Sequence, residues 1–153
     1  MQSSITQIFQ SNKDENTKTP PTVNHTLFFD GCSKSNPGPA GIGASLFMGD
    51  VEIEYLSAYI GIQSNNFAEY TALIRGLEMA VRRNVSCLHV KGDSMLVINQ
   101  MKGTWKVKHP DMKTLHAQAK TLEKKLEHVT YEHVYRHLNS RADELANESC
   151  LSS

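Results

Sequence analysis

The chain has 153 residues, enough for one domain with a sizeable core, and its hydrophobic (39%) and charged (21%) fractions are those of a soluble globular protein. Sixteen basic residues balance sixteen acidic ones, so a polyanionic partner would have to be held by local patches or metal ions and not by a global field. No run approaches the ~20 apolar residues of a membrane span, no signal peptide or mitochondrial presequence is evident, and the scattered Cys32, Cys87 and Cys150 fit neither a disulfide framework nor a zinc spacing. Those cysteines suggest an intracellular, reducing compartment, cytoplasm or nucleus.

Residues 1–24 are polar, end in Pro20-Pro21 and read as a flexible tail; residues 25–153 form the folded domain. Strands are expected at 25–32, 41–48 and 51–60, the last two joined by a turn at Gly49-Asp50. The segment "NNFAEYTALIRGLEMAVRRN" then takes helical spacing, with Phe67, Tyr70, Ile74, Leu77 and Val81 on one face and two leading asparagines as natural N-caps. "CLHVKGD" predicts a short strand, "SMLVINQMKG" a short helix stopped by Gly103, and "HPDMKTLHAQAKTLEKKLE" a longer helix with Pro110 in its first turn. "VTYEHVYR" predicts the last strand and "SRADELANESCL" the last helix, with Asn139 or Ser140 as its cap. The order βββ-α-β-α-α-β-α predicts an α/β fold: a mixed sheet with helices on its faces, in which strands one, four and five are parallel and central.

Asp30 interrupts an apolar strand, and Asp93 ends another just before a helix. Ligands of open α/β sheets bind at the carboxyl ends of strands. Glu69, one turn into its helix, and Asp143, in the first turn of the last helix, reach the same edge if both helices point their N-termini there. The helix dipole would then help keep both acids ionised. Four converging carboxylates repel one another, and a divalent cation resolves the repulsion. An all-oxygen site suits Mg²⁺ or Mn²⁺. Two such ions ~4 Å apart would clamp an in-line phosphodiester displacement. Each acid also has a plain structural reading: Glu69 and Asp143 as dipole complements, Asp93 as an N-cap. Asp30 is the hardest to read that way, because an unpaired buried carboxylate is costly.

Four segments in order, "FFDGCSKSNPGPAGIGA", "SNNFAEYTALIRGLEMA", "VKGDSMLVINQM" and "HVYRHLNSRADELANES", resemble the type 1 ribonuclease H family. The resemblance covers residues 25 to 151. It implies the ribonuclease H-like fold, a five-stranded mixed sheet of order 3-2-1-4-5 with helices on both faces. It also implies hydrolysis of the RNA strand of RNA/DNA hybrids, leaving 5′-phosphate and 3′-hydroxyl ends, by a two-metal mechanism. Asp30, Glu69, Asp93 and Asp143 would hold two Mg²⁺ ions, with Mn²⁺ able to substitute. Gly31, Asn36, Ser64, Asn65 and Asn66 would contact the hybrid: Gly31 by letting backbone approach a ribose, the asparagines at the groove edge, and Ser64 with the helix-start amides at a DNA phosphate. The two asparagines read equally as simple caps. Trp105, the only tryptophan, would pack on a deoxyribose; otherwise its ring is half-buried on the core.

Two departures from the family's commonest pattern stand out. The long basic insertion of many bacterial members is absent, although seven of the sixteen basic residues lie between Met101 and His128. Before Asp143 there is no glycine-containing loop; "HVYRHLNSRAD" is similar to the archaeal-type "H-V-P-R-x-x-N-x-x-A-D", with Tyr135 in place of proline. In that subgroup the arginine seven residues before the last acid takes a place at the active site, which is Arg136 here; His133 and His137 are its rivals. A DNA-strand nuclease or resolvase-like enzyme, and a hybrid-binding module with a degenerate site, are the competing readings. The enzyme is expected to be a monomer. In the tail, "QSSITQIF" resembles the peptide that binds replication sliding clamps. Gln2, Ile5 and Phe9 fit that pattern, and Ile8 stands where an aromatic is usual.

Overall fold

A computed structural model describes residues 24–151. The tail expected over 1–24 lies outside them except for Asn24. Alternation of apolar residues makes β1 (His25–Ser33) the middle strand, with Leu27 and Phe29 fully buried. β2 (Gly38–Met48) runs antiparallel to β1. β3 (Val51–Gln63) runs antiparallel to β2 after the two-residue turn at Gly49-Asp50, where Gly49 takes a φ of +61°. There follow α1 (Asn65–Arg82), β4 (Cys87–Gly92), α2 (Met95–Lys102), α3 (Pro110–Glu123), β5 (His128–His133), a 3₁₀ turn (Arg136–Leu138) and α4 (Ser140–Leu151). β4 is parallel to β1 and β5 to β4, so the sheet is mixed with order β3-β2-β1-β4-β5. That is the order the family resemblance implies.

Opposed residues of paired strands share a face of the sheet. A side chain at Gly43 of β2 would strike α4, its Cβ only 2.5 Å from Ala142 O and 2.6 Å from Ala146 N. A side chain at Gly31 of β1 would strike the backbone of α1 at Ala68 and Glu69. Gly43 is opposite Asp30, and Gly31 is opposite Ile42. Consecutive residues of β1 therefore face different helices: Asp30 the α4 side, Gly31 the α1 side.

The helical face read from sequence, Tyr70, Ile74 and Leu77, is buried, with Phe67 and Val81 packed at its margin. Ala68, Ala72, Leu73, Gly76 and Ala80 are buried as well, because α1 is enclosed between the sheet and α3. Small residues let the helix approach the sheet closely. Each fully buried Leu or Phe adds about 1.5–3 kcal/mol of transfer free energy.

Several expectations need correction. β5 is parallel but not central: it is the edge strand, its side chains alternately exposed and half-buried. It ends at His133, so Arg136 belongs to the 3₁₀ turn and not to the strand. β2 starts at Gly38, and β3 continues to Gln63 because Gly61, with φ +81°, forms a bulge instead of stopping the strand. The cap of α1 is Ser64, whose Oγ accepts from Phe67 N at 3.2 Å; neither Asn65 nor Asn66 has that place. α3 ends at Glu123, four residues earlier than its apolar pattern suggests. No helix among the described residues is long and apolar enough to cross a membrane.

Replacing Gly43 by alanine forces β2 and α4 apart. It is expected to lower stability by about 1–3 kcal/mol, read as a fall in the urea midpoint at unchanged slope.

Candidate active site

The ladder between β1 and β4 ends at the pair Phe29–Gly92, and the next residues on the two strands are Asp30 and Asp93. Parallel register alone thus sets these two carboxylates side by side at the carboxyl edge. Asp93 is not a cap; Ser94 does that work, its Oγ accepting from Val97 N at 3.2 Å, which leaves the Asp93 carboxylate free. Glu69, on α1, reaches the same point through the gap at Gly31, whose N–H donates to Glu69 Oε1 at 3.1 Å. Carboxylate oxygens of Asp30, Glu69 and Asp93 all lie within 4.8 Å of one another. The fourth acid, Asp143, enters from the first turn of α4, where Arg136 pairs with it at 3.3 Å.

Asp30 and Glu69 are each only 5% exposed. Burial, and then the charges of Asp93 and Asp143, push the Asp30 carboxyl up to about 8. Burial, and then Asp30 and Asp93, raise Glu69 well above the usual carboxylate range despite the Gly31 hydrogen bond. The expected help of the helix dipole to Glu69 is therefore outweighed by desolvation. Arg136, held charged chiefly by Asp143, is mostly in solvent and does not enter the buried cluster.

All four acids line one cavity of about 560 Å³, together with Gly31, Asn65, His133, Tyr135 and Arg136. Asn36, Ser64 and Asn66 line the adjoining groove, with Lys106 and Lys108 on its far wall. The two depressions meet where Asn36 Oδ1 accepts from Asn65 N at 3.0 Å. Asn65 and Asn66 stay exposed at the helix start. Trp105, in the turn after α2, is 45% exposed and lines neither depression. The close approach at Gly31 is made by the backbone of α1. His137 is outside the cavity lining, whereas its rivals His133 and Arg136 are both within it.

Asn139 or Ser140 was the expected cap of α4, and Asn139 holds that position, its carbonyl accepting from Asp143 N at 3.0 Å. Its buried side chain donates to Phe29 O at 3.0 Å, tying the start of α4 to β1 one residue before Asp30. Its Oδ1 is buried without a hydrogen-bond partner among the described residues. Only spacing hinted at Asn139, because its partner is 110 residues away in sequence. Cys32 and Ser33 also line the cavity and were not singled out, since a thiol and a hydroxyl beside Asp30 carry no pattern of their own.

Comparison with known proteins agrees with this geometry. Residues 28–149 match the family model described as reverse transcriptase-like. The chain is 46% identical over 123 residues to the bifunctional protein Rv2228c of Mycobacterium tuberculosis, covering 78% of this chain and 34% of that one. It therefore spans about a third of the length of that relative. It is 41% identical to ribonuclease HI of Halobacterium salinarum, covering 80% of this chain and 62% of that protein. The crystal structure of the Halobacterium enzyme superposes with a TM-score of 0.82 at 37% identity, covering 85% of this chain and 99% of that one. LC11-RNase H1, solved in complex with an RNA/DNA hybrid, gives 0.78 at 36% identity, covering 82% and 96%. Matching in sequence, strand order and extent, the chain belongs to the type 1 ribonuclease H family.

Proposed function

We propose that the protein is an endonuclease that hydrolyses the RNA strand of RNA/DNA hybrids with the help of two Mg²⁺ ions, leaving 5′-phosphate and 3′-hydroxyl ends. The observation that carries this reading is the convergence of three carboxylates within 4.8 Å, two of them buried, beside a fourth at the cavity lip. The donor set fits a hard divalent cation: it is all oxygen, and Asp30 and Glu69 are raised in pKa by burial and then by the carboxylates beside them. Asp30, Glu69, Asp93 and Asp143 would hold the ions, which supply an activated water and neutralise charge at the phosphodiester.

The chain's own residues then have distinct tasks. Gly31 N–H fixes one oxygen of Glu69, so that carboxylate presents a set orientation. Arg136 steadies Asp143 and stays charged at any working pH. Asn65, Asn66 and Asn36 offer amides to the sugar edges of the groove, which suits recognition of 2′-hydroxyls without reading bases. Ser64 has its oxygen engaged with Phe67 N but its hydroxyl proton free for a phosphate. Lys106 and Lys108 bring positive charge to the same groove. Trp105, exposed beyond α2, is available to a deoxyribose of the DNA strand. We also propose that Gln2, Ile5, Ile8 and Phe9, outside the described residues, tether the enzyme to a replication sliding clamp and raise its effective concentration at hybrids. The enzyme is proposed to act as a monomer in a reducing compartment.

Incubation with labelled hybrid, duplex DNA, duplex RNA and single-stranded RNA tests the whole reading: only the hybrid is cut, in Mg²⁺ or Mn²⁺ and not in EDTA. Asp93→Asn abolishes cleavage while leaving hybrid affinity, which rests on phosphate and sugar contacts, largely intact. In EDTA the same variant is more stable than the parent at pH 8. Asp93 helps raise Asp30 and Glu69, and a carboxyl raised in the folded state destabilises it above its unfolded pKa. That advantage fades as pH falls toward the ordinary carboxylate range. Turnover by Asp93→Asn would overturn the assignment.

Arg136→Ala is expected to lower the cleavage rate more than His133→Ala, with no new pH dependence in the latter. Equal losses in both variants, or a larger loss in His133→Ala, would overturn the ranking. For the tether, a peptide spanning residues 1–16 is expected to bind the clamp of the source organism in calorimetry, and its Ile5→Ala, Phe9→Ala form is not. Equal affinity of the two peptides would remove the tether and leave the nuclease reading untouched.

A further inference from the structure

Tyr135 has no evident work in the fold. It is 70% exposed, and its recorded ring contacts are confined to its own segment. It meets the edge of His133 at 5.9 Å and stacks on His137 with centroids 6.1 Å apart and planes 8° from parallel. No hydrogen bond to its hydroxyl is present among the described residues. A single exposed tyrosine needs no explanation by itself. This one differs in position and in how firmly it is carried.

The backbone around it is pinned on both sides. Val134 N donates to Gly92 O, Leu138 N to Tyr135 O, and Asn139 N to Arg136 O, each at 2.9 Å. The Asn139 side chain then ties the segment to β1. Tyr135 lines the same cavity as Asp30, Asp93 and Asp143 and is next in sequence to Arg136. His137 flanks the ring with its plane nearly parallel and the pinned backbone fixes where the ring stands, so less conformational entropy remains to be lost on binding.

We propose that Tyr135 is a substrate-binding residue whose free ring face packs against a sugar of the RNA strand, next to the phosphodiester held at the four carboxylates. This rests on the hybrid-cleavage reading above. A sugar presents C–H groups, and an aromatic face is electron-rich, so the two pack without reading a base. An acidic cleft repels the phosphates it must hold, and an apolar contact adds affinity there without adding charge. Such affinity is insensitive to salt, unlike that of a lysine or arginine at a phosphate.

The test compares wild-type protein with Tyr135→Phe and Tyr135→Ala. Binding of a fluorescent RNA/DNA hybrid is followed by anisotropy in EDTA at several salt concentrations, and cleavage kinetics are measured in Mg²⁺. Tyr135→Ala is expected to weaken Kd and raise KM about 5- to 20-fold, the scale of one aromatic packing contact. Saturated kcat should stay within about twofold, and the slope of log Kd against log salt should not change. Tyr135→Phe should keep Kd within about twofold of wild type. Wild-type Kd for Tyr135→Ala, a loss in Tyr135→Phe equal to that in Tyr135→Ala, or a changed salt slope would overturn the proposal. A melting temperature lowered by more than about 5 °C in Tyr135→Ala would also overturn it, by giving the ring a structural role. Because the binding arm needs no cleavage, a wild-type protein that fails to cut hybrid would defeat the nuclease reading alone.

Discussion

Repulsion among buried carboxylates is the constraint around which this molecule is organised. Asp30, Glu69 and Asp93 crowd their oxygens into a space under 5 Å across, and two of the three are withdrawn from water. Nothing in apolar packing relieves that repulsion. The fold holds the acids together because each rides on an element fixed elsewhere: Asp30 and Asp93 on paired parallel strands, Glu69 on a helix enclosed between sheet and α3. The apolar core on both faces of the sheet offsets the unfavourable electrostatics at one edge. A positively charged ligand then gains what the protein alone cannot, which is the usual physical origin of tight divalent-ion sites.

The period of a strand makes the arrangement economical. Asp30 and Gly31 are consecutive, so they look to opposite faces of β1. Asp30 turns toward α4, which brings Asp143; Gly31 turns toward α1, and its missing side chain lets Glu69 come to the sheet edge. One dipeptide thus gathers acids from helices on two sides. Asn139 completes the join by tying the start of α4 to Phe29 O. Crowding is tolerated at Gly31, Gly41 and Gly43 because glycine is the only residue without the atom that would collide.

Charge is distributed unevenly around this centre although the whole chain is neutral. The carboxylates line one cavity with Asp30 and Glu69 buried, Arg136 is exposed in the same lining, and Lys106 and Lys108 line the adjoining groove with Asn36 and Asn66. A polyanion would therefore be drawn to the borders of the acidic centre and not to its floor. Local patterning can do here what a global positive charge does in basic proteins.

The sequence by itself determined the element order, the apolar face of α1, the hairpin at Gly49-Asp50 and the four acids as candidates, because these follow from periodicity, turn chemistry and motif spacing within a few residues. It misjudged features that depend on distant partners. β5 looked central because helices flank it in sequence, yet it is an edge strand, since hydrogen bonds and not chain order set a strand's neighbours. Asn65 and Asn66 looked like caps, but Ser64 precedes them with the right backbone geometry. The third strand, expected over 51–60, runs on through a bulge at Gly61 to Gln63. Only the tertiary structure decided that Asp30 and Asp93 are neighbours and that Glu69 bonds to Gly31 N–H. It alone revealed the tie from Asn139 to Phe29 and the exposure of Tyr135 beside the acids. Each is a contact between residues far apart in the chain or a degree of exposure. Packing of the whole sheet and its helices sets these, and no local stretch of residues encodes them.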